Sequence, residues 1–187
     1  MTVRLAGRAG HERGTEMKVL VVFASRHGAT AGIAAAIGDA LRASGLEVTV
    51  MAVEDAASVS QFDAVVLGSA VYMGHWLKPA RLFAMREARS LSERPVWLFS
   101  SGPVGDPVTP AEHAVDVSDT LRLTGARAHH LFAGELDRER LGVLEKTIAS
   151  ALRVPARDFR DWAEVRAWSA GIGAALLEEA LQAGRVG

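Results

Sequence analysis

The chain contains no cysteine, which excludes disulfides, thiolate nucleophiles and cysteine-ligated zinc or iron–sulfur centres and fits a reducing, cytoplasmic setting. An excess of charge of one sign is also missing. With 21 Lys and Arg against 22 Asp and Glu, neither a dedicated nucleic-acid surface nor a polybasic membrane anchor is expected. No apolar run approaches the roughly 20 residues that a membrane-spanning helix needs. Two nucleotide signatures are absent as well: neither Gly-x-Gly-x-x-Gly nor Gly-Lys-Ser/Thr follows the first apolar stretch, which removes the dinucleotide fingerprint and the NTPase loop. A phospho-accepting receiver domain needs an acidic pair after its first strand and an aspartate closing its third. Those places hold Ala24-Ser25 and Gly68-Ser69. A length of 187 residues suits one α/β domain and is short for two.

What is present is organised around Lys18 to Thr30. Its first half is an unbroken apolar, β-branched run, the pattern of a strand covered on both faces of a parallel sheet. Its second half, Ser25-Arg26-His27-Gly28-Ala29-Thr30, turns polar and leads into a segment where Ile33, Ile37 and Leu41 recur at helical spacing. Unpaired backbone N–H groups at a helix start carry partial positive charge, so with two hydroxyls nearby this loop suits a phosphate. Ahead of it, residues 1–16, with Arg4, Arg8, Arg13 and three glycines but no apolar periodicity, read as a disordered extension, and Met17 is an alternative natural start. The folded domain is expected over 17–187.

The first helix is expected to stop near Ser44, where Gly45 offers a left-handed cap. Leu46, Val48 and Val50 then alternate with Glu47 and Thr49, marking a half-exposed edge strand. Ala64 to Leu67 is wholly apolar and reads as a central strand, followed by an irregular loop from Ala70 to Trp76 and a helix from Pro79 to about Leu91. Val96 to Phe99 is the next buried strand and runs into small residues from Ser100 to Pro107. Thr109-Pro110-Ala111-Glu112 combines an N-cap, a first-turn proline and a capping-box glutamate, opening a helix that ends near Gly125. Ala126 to Ala133 reads as a second edge strand. A long segment from Gly134 to Arg160 follows, with a short helix over Leu141 to Leu152. Asp161-Trp162-Ala163-Glu164 is a second capping box, opening a last helix striped by Val165, Trp168, Ile172 and Leu176.

Five strands alternating with helices call for a five-stranded parallel sheet covered on both sides, an α/β three-layer sandwich. With strands two and five at the edges and one, three and four inside, the order is 2-1-3-4-5, the flavodoxin-like order, in which ligands sit beyond the carboxyl ends of the strands where the order switches. The loops after strands one, three and four all open there. His129 and His130, adjacent on a strand, point to opposite faces and cannot jointly grip a metal. Trp97, Trp162 and Trp168 fall where core packing is expected, and the Ser69 hydroxyl is placed to cap a helix.

Ser25-Arg26-His27-Gly28-Ala29-Thr30 resembles the flavodoxin phosphate loop, Ser/Thr-x-Thr-Gly-x-Thr, with His27 in place of the central threonine. A charge-assisted bond from Arg26 or His27 could replace the lost hydroxyl. Together with Leu67-Gly68-Ser69-Ala70-Val71-Tyr72-Met73-Gly74-His75-Trp76 and Leu98-Phe99-Ser100-Ser101-Gly102-Pro103, it is similar to the bacterial flavodoxin-domain proteins related to menaquinone-dependent protoporphyrinogen oxidase. That resemblance spans about Met17 to Leu181. It implies flavin mononucleotide (FMN), its phosphate on Ser25, Arg26, His27, Gly28, Ala29 and Thr30. The ring would lie between Ser69, Ala70, Val71, Tyr72, Met73, Gly74, His75 and Trp76 on one side and Ser101, Gly102, Pro103, Val104, Gly105 and Asp106 on the other. Tyr72 and Trp76 are the candidates to stack on it, and Gly74, Gly102 and Gly105 to permit close backbone approach. The implied function is an FMN-dependent oxidoreductase passing electrons from a small-molecule redox substrate to a quinone or a redox protein, with peripheral membrane contact open. A non-catalytic electron carrier and a flavin-free scaffold of the same fold are the alternatives. No catalytic acid, base or metal ligand is singled out.

Overall fold

The apolar run after Met17 forms β1 (Lys18–Ala24), in which Val19 to Val22 are wholly buried. These residues come from a computed structural model, which describes 17–72, 74–102, 115–136 and 157–186. Residues 1–16, Thr109 to Glu112 and Leu141 to Leu152, for which an extension, a helix start and a helix are expected, lie outside the described residues.

Alternate residues of each central strand feed opposite faces of the sheet, which fixes a layer of helices on either side. Val19, Val21, Val66 and Phe99 face Ile33, Ile37 and Leu41 of α1 (Ala29–Ala43) and Val165, Ile172 and Leu176 of α5 (Trp162–Val186). Leu20, Val22, Val65, Leu67 and Leu98 face the other way, onto Ala80 and Phe83 of α2 (Lys78–Arg86) and Leu91 of α3 (Ala88–Ser92). The expected α/β three-layer sandwich is present. Between α1 and β2 (Glu47–Ala52), Gly45 turns the chain at φ 89°, a conformation that costs a residue with a Cβ roughly 1–2 kcal/mol.

β3 (Ala64–Tyr72), β5 (Val96–Ser101) and β6 (Ala128–Phe132) complete a parallel ladder of order β2-β1-β3-β5-β6, the expected winding with β2 and β6 at the edges. The strand count differs. A sixth strand, β4 (His75–Trp76), folds back antiparallel on β3, so the stretch expected to be an irregular loop is a tight hairpin in which Tyr72 pairs with His75 and Val71 with Trp76. Nothing in its mixed residue pattern marks a strand. The hairpin is fixed instead by the Leu77 amide, which donates to Ser69 Oγ at 3.0 Å.

Three further features differ from expectation. The segment from Pro79 to Leu91 is two helices, broken at Glu87, whose backbone leaves helical geometry (φ −96°, ψ 8°) while its buried carboxylate accepts the Val59 amide at 3.2 Å and Arg86 Nε at 3.0 Å. α4 (Ser118–Thr124) begins only after the non-helical residues 115–117 and ends at Gly125, φ 64°. Inside the long segment, β7 (Glu135–Leu136) and β8 (Arg157–Asp158) pair as a small separate sheet that no periodicity announces. At α5 the Asp161 cap is present, its Oδ1 accepting the amides of Ala163 and Glu164 at 2.8 and 3.1 Å. The Glu164 carboxylate lies 3.0 Å from His130 Nε2 on the neighbouring edge strand.

Leu98 is fully buried at the middle of the sheet. Leu98→Ala is expected to lower unfolding free energy by about 2–5 kcal/mol, the usual result of a core leucine truncation that leaves a cavity, read as a lowered urea midpoint at unchanged slope.

Candidate functional site

Strand register sets the site. Ala24 pairs with Ser69, and Ser69 with Ser100, so β1 and β5 end within a residue of one level, while β3 runs three residues past Ser69 into the hairpin that stands beside their loops. That level lies between β1 and β3, where the winding of the sheet reverses, the place at which open α/β sheets receive ligands.

The first loop is drawn tight by Ser25, whose Oγ accepts the Gly28 amide at 3.1 Å. Gly28 takes a left-handed conformation, φ 93°, so α1 starts without a side-chain cap and without an acidic residue in its first turn. Thr30 lies in that turn, 1% exposed, and its Oγ1 is a buried side-chain atom with no hydrogen-bond partner. A buried hydroxyl left in that state costs about 1–3 kcal/mol. Uncapped amides and an unanswered hydroxyl together match an acceptor-rich anion such as a phosphate.

Arg26 and His27 reach across to the hairpin. The Arg26 guanidinium lies 5.1 Å from the centre of the Tyr72 ring, and the His27 and Tyr72 rings are 6.4 Å apart at 54°. The phosphate-suited loop and the β3–β4 hairpin thus share one wall. Ser69 Oγ donates to its neighbour's carbonyl, Ala70 O, at 2.8 Å and accepts the Leu77 amide, so its visible role is to hold the hairpin and the start of α2. Ala70 and Val71 are partly buried in β3, His75 is exposed, and Gly74 makes the turn at φ 78°. Gly102, φ 116°, follows β5 with its amide donating to Phe132 O at 3.0 Å, and an added Cβ would come no nearer than 3.8 Å to Val71 O. Ser101 pairs with Ala70. Met73, Pro103, Val104, Gly105 and Asp106 lie outside the described residues.

Trp76 corrects one expectation. Its indole is not an open platform in the loop but part of the core, 3% exposed, donating from Nε1 to Ser100 Oγ at 2.7 Å. Ser100 Oγ is also 2.8 Å from His129 Nε2. Burial, reinforced by the neighbouring His130, holds the His129 imidazole below the ordinary histidine range. The neutral ring then accepts at Nε2 from the Ser100 hydroxyl, which itself accepts from the Trp76 indole. With Trp76 placed in the core, Tyr72 is left as the half-buried aromatic at the site. His130 lies on the other face against Phe132 and Trp168, as the adjacent-strand argument requires. Trp97 and Trp168 pack in or against the core as expected.

Arg160 reaches the same helix start from far along the chain. Its guanidinium is held by Asp158 through Nε and Nη2, each at 2.8 Å, lies 4.5 Å from the Trp162 ring centre, and points Nη1 at Ala29 O, 3.5 Å away. The grip of Arg160 keeps the Asp158 carboxyl below the usual range. No local sequence signal marks Arg160, because the contact spans 131 positions.

These features define a doubly wound α/β domain whose switch-point loops are suited to a phosphate-bearing cofactor with a flat ring. The chain belongs to the Flavodoxin domain family, whose sequence profile matches residues 20–161. Solved structures agree on the fold. A flavodoxin from the domain Archaea is 19% identical over 85% of this chain and 98% of its own, with a TM-score of 0.58. The two-electron reduced flavodoxin of Megasphaera elsdenii is 24% identical over 62% of this chain and 85% of its own, TM-score 0.52. The rubredoxin oxygen:oxidoreductase of Desulfovibrio gigas is 16% identical over 88% of this chain, TM-score 0.60, and this chain spans 37% of that protein's length. A comparison with curated proteins finds no match. Family membership indicates FMN as the cofactor, and the uncapped helix start with its orphaned Thr30 hydroxyl fits the phosphate.

Thr30→Val removes the hydroxyl while keeping the shape. It is expected to raise the stability of the flavin-free protein by about 1 kcal/mol, since a buried unsatisfied group is lost, and to weaken FMN binding by a similar amount; chemical denaturation and fluorescence titration read the two opposite changes. For His129, the lowered folded-state value means the unfolded chain takes up the proton first. Its contribution is complete above the ordinary histidine range and fades as pH falls through the depressed value, so wild type is expected to lose more stability on acidification than His129→Gln in denaturation series across that window.

Proposed function

We propose that this protein is an FMN-dependent electron-transfer protein, with Ser25 to Thr30 seating the phosphate and the ring lying between the Ser69 to Trp76 hairpin and the loop from Ser101 to Asp106. The observation that carries the reading is the buried, unpartnered Thr30 hydroxyl in an uncapped first helical turn, at the winding reversal of the sheet. Bound flavin would supply one- and two-electron transfer. The chain's part is to position it. Amides from Ala29 onward and the Thr30 hydroxyl donate to phosphate oxygens, Gly28 lets the backbone approach closely, and Tyr72, braced by Arg26 and His27, offers the flat face. The Ser69 hydroxyl keeps the hairpin in place while Gly102 leaves room beside Val71.

Two forms of this function divide on what meets the ring edge. Electron carriers use a strong field of one sign to find a protein partner, and a net charge of −1 supplies little of it. That favours a small-molecule redox substrate. Transfer onward to a quinone, as in the protoporphyrinogen-oxidase-like proteins, is the narrower form and is supported by the sequence resemblance alone.

The test begins with FMN added to flavin-free protein. Quenching of flavin fluorescence at one equivalent is expected, and absence of binding overturns the proposal. Anaerobically reduced protein is then mixed with a soluble naphthoquinone: fast reoxidation identifies the quinone-reducing form, and reoxidation only by a one-electron protein acceptor identifies the carrier.

A further inference from the structure

Two buried hydroxyls stand opposite each other near the carboxyl end of the sheet, Ser69 on β3 and Ser100 on β5, paired in register and set on the same face as Leu67 and Leu98. Together they grip successive residues of the returning hairpin: Ser69 Oγ accepts the Leu77 amide at 3.0 Å, and Ser100 Oγ accepts the Trp76 indole at 2.7 Å. Their own protons go different ways. Ser69 donates to Ala70 O, the next residue of its own strand, at 2.8 Å, whereas Ser100 reaches 29 positions along the chain to His129 Nε2 on β6, also at 2.8 Å.

The direction of that line is forced. An indole N–H only donates, so Ser100 Oγ is the acceptor towards Trp76 and its single proton must be satisfied at His129. The neutral imidazole that burial favours offers the lone pair at Nε2 that takes it. Without an acceptor at position 129, the buried Ser100 hydroxyl keeps an unmet donor beside the indole. The same strand holds the end of β5: Phe132 O accepts the amide of Gly102, the first residue beyond that strand, at 3.0 Å. Hairpin and β5 end are thus both referred to β6, one through His129 and the other through Phe132.

We propose that His129 is a positioning residue for the flavin ring: by ending the Trp76–Ser100 line it fixes the spacing between the β3–β4 hairpin and the end of β5, the two walls between which the ring lies. This rests on the FMN reading above. His129 acts through Ser100 and Trp76, not on the ring itself. Spacing matters because a flat ring gains its contact energy on both faces at once, at separations of about 3.5–4.0 Å, and a gap wider by roughly 0.5–1 Å forfeits a quarter to a half of it. The two adjacent histidines of β6 then divide their work between the sheet faces. His130 packs on Phe132 and Trp168, and His129 sets the slot.

The experiment compares FMN with lumiflavin, which carries the ring alone. Dissociation constants of both, by fluorescence quenching, and the visible circular dichroism of bound FMN are measured on the full chain as wild type, His129→Leu, His129→Gln and Ser100→Ala. His129→Leu is expected to weaken both ligands by the same factor, about threefold to tenfold, and to change the dichroism of the bound ring as the walls lose their fixed distance. His129→Gln, whose amide oxygen can take the Ser100 proton, is expected to stay within about twofold of wild type for both ligands and to restore the dichroism. Ser100→Ala breaks the line at its middle and is expected to repeat the His129→Leu result; it decides the matter if His129→Leu does not fold. Ile37→Val, a buried truncation on the other face of the sheet, lowers stability and is expected to leave both constants unchanged, so that lost stability alone does not imitate the effect. Wild-type affinities in the folded, line-breaking variant overturn the role of His129, as does an equal loss in His129→Gln, a loss confined to FMN, or a wild type that holds FMN yet has no measurable affinity for lumiflavin. Wild type that binds neither flavin fails the FMN reading itself.

Discussion

β1 is hydrogen-bonded on both sides, to β2 and to β3, and buried on both faces. Its backbone groups have no water to turn to, so the ladder is obligatory and its register cannot slip without turning the apolar residues of each face to the other. From that fixed strand follows the common level at which Ala24, Ser69 and Ser100 stand in register, and with it the placing of the first loop, the β3–β4 hairpin and the end of β5 side by side. The site is a by-product of register: a strand that must stay dry to its last residue hands over abruptly to a turn of small polar ones.

Around the strand ends, a few buried polar groups do the fixing. Ser69 ties the hairpin to α2, Trp76 and Ser100 tie the hairpin to β5, and His129 extends the line to β6. The Leu77 amide, the Trp76 indole and the Ser69 and Ser100 hydroxyls each have an acceptor, which helps a buried polar network to hold a single arrangement. Thr30 is the exception, and it lies where the flavin phosphate would be received. The contrast between satisfied scaffold and unsatisfied helix start separates the parts that hold the site from the part that takes the ligand.

Much of this was legible from residue patterns. The clean alternation of Leu46, Val48 and Val50 marked an edge, and the wholly apolar runs at 64–67 and 96–99 marked the centre, enough to order the sheet. Gly45 and Asp161 announced a helix end and a helix start through local chemistry that tertiary contacts did not override. What escaped was set by distant partners. Ala70 to Trp76 has no strand period, and becomes a hairpin because Ser69 and Leu77 meet. Trp76 reads as a loop aromatic until Ser100 is found beneath its indole. Glu87 breaks a helix that its sequence would continue, because the Val59 amide waits 28 residues upstream. Arg160 is one arginine among many until the fold sets it beside Ala29.

The parallel ladder also governs how the chain reaches this state. Apart from the β3–β4 hairpin, the pairings of the main sheet are parallel and join segments separated by a crossover or by other strands, so loop closure must be achieved before those ladder bonds reward it. α1 and α5, from opposite ends of the domain, then close over the same sheet face. The pocket's walls come from segments scattered along the chain, so it is complete only when the slowest of these encounters is over. A nascent chain emerging from the ribosome would hold the first loop early but would leave that sheet face half covered until the C-terminal helix had docked.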